Sequence, residues 1–213
     1  MVNSENTPRA IIEFWIGDSG LNPDKALARK KIWYWGGDKI DTEIKLKFGA
    51  LVSSACNHRL GEWEKNPGGV LALIILLDQF TRNLFRNTLK AYIGDAQALR
   101  VLKQSIDVGL DLELDAVSRI WLYHPFHHSE LIEEQDRGIR LLQNLREECE
   151  PKWSAYIDSC MKGWTGHRDI VAKFGRFPHR NYLLERTCTR EEMLFLSSSG
   201  KSFGQGPKRV KDC

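Results

Sequence analysis

Eight consecutive apolar residues, Val70 to Leu77, run without a glycine or proline into Asp78-Gln79-Phe80-Thr81-Arg82-Asn83-Leu84-Phe85. Periodicity alone allows a buried strand or a buried helix for the apolar run. Its unbroken continuation into a polar stretch favours one long buried helix, around which the other elements must pack. Residues 8–16 read as a short first helix opened by Thr7-Pro8 and closed by Gly17. Asn22-Pro23-Asp24 starts a second, which passes Trp33-Tyr34-Trp35 and stops at Gly36-Gly37. Asp41 opens a third, with Ile44, Phe48, Leu51, Val52 and Ala55 at helical spacing. Asp95 is read as the cap of the next helix, and Leu114 to Tyr123 as another that halts before Pro125. Ser129 caps an amphipathic helix, with Leu131, Gln135, Ile139, Leu142 and Leu145 on one side. Helices over 151–164, 168–174, 178–184 and 189–196 follow. No strand pair or hairpin signal appears. The expected fold class is all-α, with one domain over 1–197 and a flexible, weakly basic tail over 198–213.

The charge balance narrows the partners. Of the formal +3, all comes from Lys201, Lys208, Arg209 and Lys211 against Asp212; the rest holds 27 basic and 27 acidic residues. A formally neutral body lacks the basic stripe of a nucleic-acid surface, and four cations on a tail give only weak, salt-sensitive attraction. The apolar run of eight residues is far short of the ~20 that a membrane helix needs, so no membrane partner is expected. Cys56, Cys149, Cys160, Cys188 and Cys213 are odd in number and scattered, with no Cys-x-x-Cys pair. They read as free thiols in a reducing compartment, and the start of the chain shows no signal peptide. A cytoplasmic location is expected.

Three polar clusters carry the chemistry. In the first, Asp78, Arg82 and Arg86 lie four apart on one helix face, with Asn83 beside them. A structural Asp78–Arg82 ion pair is the plain reading, but the charge sits where a core helix emerges. The second is Tyr123-His124-Pro125-Phe126-His127-His128-Ser129-Glu130. A histidine beside a carboxylate can be tuned into a general base near neutral pH, which singles out His128 and Glu130. Three histidines in five residues raise the question of a metal, but no spacing matches a ligand motif. A metal stays the minority reading: no metal site is assigned, and no cofactor is implied.

The third cluster is Phe174-Gly175-Arg176-Phe177-Pro178-His179-Arg180-Asn181. Gly175 lets the chain leave one helix, Phe177 is pushed towards an extended conformation, and Pro178 suits the first position of the next. His179, Arg180 and Asn181 would then fall in a first helical turn, where arginines beside unpaired N–H groups make an anion site. The charged form of His179 would be disfavoured there.

Leu76-Leu77-Asp78-Gln79-Phe80-Thr81-Arg82-Asn83, Tyr123 to Glu130 and Phe174 to Asn181, in this order, resemble the bacterial domain-of-unknown-function family 924 (DUF924). Glu13-Phe14-Trp15-Ile16-Gly17, Gly61-Glu62-Trp63 and Thr189 to Leu196 extend the resemblance over roughly 10–197. It implies a fold like that of tetratricopeptide-repeat proteins, a right-handed helical array with a concave face. It carries no general activity. The motif positions it brings over are Asp78, Gln79, Arg82, Asn83, His128, Ser129, Glu130, Arg176, His179, Arg180 and Asn181. Thr81 departs from the family's usual proline, and His124 and His127 stand where other residues are more usual.

The expectation is an enzyme or enzyme-like pocket working by general acid/base chemistry on a small anionic molecule, a carboxylate or phosphate. Catalytic candidates are His128, His179, Glu130 and Asp78; substrate-binding candidates are Arg82, Asn83, Arg176, Arg180 and Asn181. The alternative is a non-catalytic helical module that holds a peptide or protein partner in its groove.

Overall fold

The computed structural model describes residues 7–199 together with Phe203, and all its regular structure is helical. The helices are α1 (Pro8–Trp15), α2 (Pro23–Trp35), α3 (Gly37–Cys56), α4 (Pro67–Ile74), α5 (Thr81–Leu84) and α6 (Asp95–Asp107). Then come α7 (Ala116–Leu122), α8 (His124–His128), α9 (Ile132–Glu148), α10 (Ser154–Phe174) and α11 (Arg190–Ser199). Local chemistry accounts for most of the starts. Thr7, Asn22 and Asn66 each accept a backbone N–H three residues on, with proline at the first helical position. Thr189 and Glu192 cap α11 reciprocally: each side chain accepts the other's N–H, at 3.2 and 2.7 Å.

The apolar run is the axis of the molecule, as expected, with one modification. Residues 69–78 are all buried, and the helix runs from Pro67 to Leu84. Its ladder widens to a π-helical stretch over Ile75–Phe80. Thr81, at the family's proline position, closes this stretch by donating its hydroxyl to the Leu77 carbonyl at 2.7 Å. Helices α1, α6 and α7 pack on α4, while α3 packs on the π segment and α5. Aromatic edges fill the junctions: Trp15 meets Phe80 at 5.5 Å and Trp121 at 5.2 Å, and Phe48 stacks on Phe80 at 5.4 Å. Helices α9 and α10 form a pair that closes over α8.

Several expected boundaries shift for physical reasons. Gly166-His167 does not break the chain; Ser154–Phe174 is one helix, because its apolar face stays continuous through Ile157, Trp164, Ile170 and Val171. Ser129 does not cap α9, which starts at Ile132; its hydroxyl accepts the Leu131 N–H in a local turn instead. Residues 178–184 do not form an α-helix. Pro178–Arg180 is a single 3-10 turn, followed by further turns. Gly175 does leave α10 in the left-handed region (φ 68°), and Phe177 is extended, as expected.

Among the described residues, no helix is long and apolar enough to cross a membrane. Cys56, Cys149 and Cys160 are free, whereas Cys188 is disulfide-bonded, a departure from the expectation of free thiols throughout. The basic positions of the expected tail lie outside the described residues.

Candidate functional site

Asp78 is the one acid on an otherwise apolar helical stretch, and it is wholly buried in the π segment. Such widened turns recur at functional sites because they displace one residue from the regular ladder. The last residue of α8 answers it across the core. His128 Nδ1 lies 2.9 and 2.8 Å from the two Asp78 carboxylate oxygens. Gln79 Nε2 also donates to Asp78 Oδ2, at 2.5 Å. The carboxylate is therefore an acceptor, His128 Nδ1 carries the proton, and the lone pair sits on Nε2. Nε2 has no hydrogen bond among the described residues, and the His128 side chain keeps 17% of its surface exposed.

Two arginines flank this dyad. Arg82 donates from Nη1 to the Asp78 carbonyl at 2.7 Å and grips Asp95 with both terminal nitrogens, at 2.8 and 3.0 Å. Asp95 is thus not the expected helix cap; α6 has no side-chain cap, and the carboxylate turns inward. Gly94 makes this possible: a Cβ there would lie 2.2 Å from the Leu77 carbonyl oxygen, so only glycine lets this loop rest on the π segment. Arg180 donates from Nη2 to the His128 carbonyl at 2.9 Å, and its nearest carboxylate, Asp95, is 3.8 Å away. Its guanidinium is sandwiched between the rings of Phe177 and Tyr92, at 4.5 and 4.7 Å. Tyr92 was not singled out in the sequence, and Asp95 only as a helix cap.

Histidines gather around the dyad. His124 stacks on Trp121 at 4.1 Å and lies 5.7 Å from His128; His127 lies 5.2 Å from His128, 4.8 Å from Trp164 and 3.9 Å from His167. His179 packs on Phe177 at 5.5 Å and, like His167, meets the ring of Phe203. Burial pushes the pKa of His124 down to about 4, against the pull of Asp78. Burial, then the positive field of Arg82, holds His128 well below the usual imidazole range. His127 and His179 are lowered well below it too, again mainly by burial. The neutrality of His179 thus has a different origin from the one expected, since no helix start lies beneath it. No group of three or more His, Cys, Asp or Glu among the described residues is disposed to hold a metal ion.

Asp78, Arg82, His128 and Arg180 come together, and His179 and Glu130 sit at their edge. Glu130 accepts the Phe177 N–H at 2.9 Å and pairs with Arg186 at 2.8 Å, so it anchors the 177–180 turn rather than an imidazole. Burial pushes its carboxyl up, but the bonds from Arg186 and Phe177 outweigh this and lower its pKa. Three candidates lie elsewhere. Asn83 and Arg86 both bind Asp41, which ties the end of the central helix to α3. Arg176 grips Glu192 at 2.7 and 2.9 Å and docks α11 on the end of α10. Asn181 reaches Cys188 Sγ at 3.4 Å. An open groove of about 810 Å³, lined by Thr7, Ile12, Asp18, Leu21 and Asn66 among others, holds none of the candidates.

The fold and this cluster define an all-α protein built around a buried aspartate–histidine pair with two inward arginines. The chain belongs to the family described as bacterial protein of unknown function (DUF924), which it matches over residues 11–200. It is also similar to the solved structure of a protein of unknown function from Agrobacterium tumefaciens. The two are 33% identical with a TM-score of 0.72, and the match covers 89% of this chain and 96% of that one. No curated protein matches the chain.

Proposed function

We propose that the chain is an enzyme in which His128 acts as a general base on a small anionic substrate, a carboxylate or a phosphate. The observation that carries this reading is the contact between His128 Nδ1 and the buried Asp78 carboxylate, with Nε2 left accessible. Asp78 fixes the tautomer and the ring orientation, and it stabilises the imidazolium that forms when Nε2 takes a proton. A base needs to be neutral before the reaction, and burial keeps His128 so. Arg180 is the cation best placed to meet an anion, because Arg82 is already held by Asp95. His179, neutral and next to Arg180, is a second candidate proton carrier.

A tetratricopeptide-like concave face would serve the alternative, a peptide groove. What favours a pocket is enclosure: the polar motifs meet on a helix buried on every side rather than along an exposed surface.

The test is turnover of a panel of small carboxylate and phosphate esters by the full chain and by His128→Gln. Turnover of one class, lowered about 10²- to 10⁴-fold in the variant, is the expected result. Loss-free turnover in His128→Gln, or none from a wild-type protein that binds these anions, would move the chain to the binding-module reading.

A further inference from the structure

Several polar atoms in the site, His127 Nδ1 among them, are buried with nothing to bond, and two of these are in one contact. Arg180 Nε and Tyr92 Oη each lack a hydrogen-bond partner, although Arg180 is only 7% exposed and the Tyr92 hydroxyl is enclosed. They belong to one contact, since the Arg180 guanidinium lies 4.7 Å from the Tyr92 ring centroid, and Arg82 approaches the same ring at 5.6 Å. A guanidinium nitrogen can only donate, and a buried donor without an acceptor is costly. The phenol can donate as well. What both atoms lack is an acceptor.

The charge balance says what kind of acceptor. Arg82 has two acids within bonding reach, Asp78 and Asp95, and they raise its pKa in spite of burial. Arg180 has only Asp95 at 3.8 Å, and burial lowers its pKa in spite of that. Its positive charge is the under-compensated one in the cluster, held between two rings and bonded to the His128 carbonyl.

We propose that Tyr92 Oη and Arg180 Nε each donate to the oxygens of a carboxylate or phosphate group, which makes Tyr92 a ligand-positioning residue of this site. The inference rests on the anion-site reading above, but it concerns binding and not proton transfer. Tyr92→Phe removes the hydroxyl and keeps the ring under both guanidiniums, so it isolates the bond from the packing.

The experiment is calorimetric titration of the full chain and of Tyr92→Phe with inorganic phosphate, and in parallel with acetate, with thermal melts of both proteins. Saturable binding of at least one anion is expected, weakened roughly tenfold in Tyr92→Phe with an unchanged melting temperature. The tighter anion names the ligand class. Absence of binding by the wild type, or equal affinity in the variant, would mean that the two donors meet only water and would overturn the proposal. His128→Gln separates the two readings. If both the anion affinity and its dependence on Tyr92 survive there while no ester is turned over by the wild type, the subsite stands and catalysis falls. If turnover depends on His128 but binding ignores Tyr92, the present inference falls alone.

Discussion

His124 shows how the core sets the chemistry of single residues. Its ring lies on Trp121, its Nδ1 meets the Ile120 carbonyl at 2.8 Å, and burial takes its pKa to about 4. Asp78 pulls it upward, while Arg82 and His167 push it down. Between pH 6.5 and about 4 the unfolded chain therefore binds a proton that the folded chain refuses. Stability is complete above pH 6.5 and falls as the pH drops, by on the order of 3 kcal/mol for this residue alone. His127, His128 and His179 add to the fall in the same direction. Urea unfolding at pH 7.5 and pH 5 should show the loss, and His124→Phe should reduce it; a flat profile would contradict the neutral-cluster account. At this scale the sequence is informative where polarity breaks an apolar pattern. Asp78 and Arg82 stand out for that reason, His128 as an imidazole near a carboxylate, and Arg180 as a cation at an expected helix start. Asp95 does not, because an acid at a helix start has an ordinary explanation, and Tyr92 does not, because an aromatic residue reads as core.

The π segment over Ile75–Phe80 is the element on which the site depends. An apolar run signals a buried helix, but nothing in residue order says that its ladder widens, since the widening answers packing from α3, α6 and the loop before α6. The same limit explains Gly166-His167: glycine permits a break, and the continuous apolar face of α10 decides against one. It also explains the short turn at Pro178–Arg180, where Glu130 from a remote segment accepts the Phe177 N–H and is itself held by Arg186. Gly94 is the element-level test. Gly94→Ala would place a Cβ 2.2 Å from the Leu77 carbonyl oxygen, against backbone that cannot yield cheaply. A loss of about 3 kcal/mol or more in denaturant unfolding is expected, with Asp95 and Tyr92 displaced from the arginines. A loss below about 0.5 kcal/mol would show that the loop does not rest on the π segment.

Across the whole molecule, a central helix buried on all sides brings three motifs, remote in sequence, to one place. The site's charges nearly cancel: Asp78, Asp95 and Glu130 face Arg82, Arg180 and Arg186, and the surrounding imidazoles are neutral. That balance lets ionised groups stay buried, and it leaves His128 Nε2 as the free basic atom of the pair. The most direct measurement is ¹⁵N NMR of the His128 imidazole in the full chain between pH 7.5 and 5. The account predicts a neutral ring with its proton on Nδ1 throughout, and loss of that tautomer preference in Asp78→Asn. An imidazolium at pH 7.5, or a proton on Nε2, would contradict it and make the pair a structural salt bridge or a differently oriented contact.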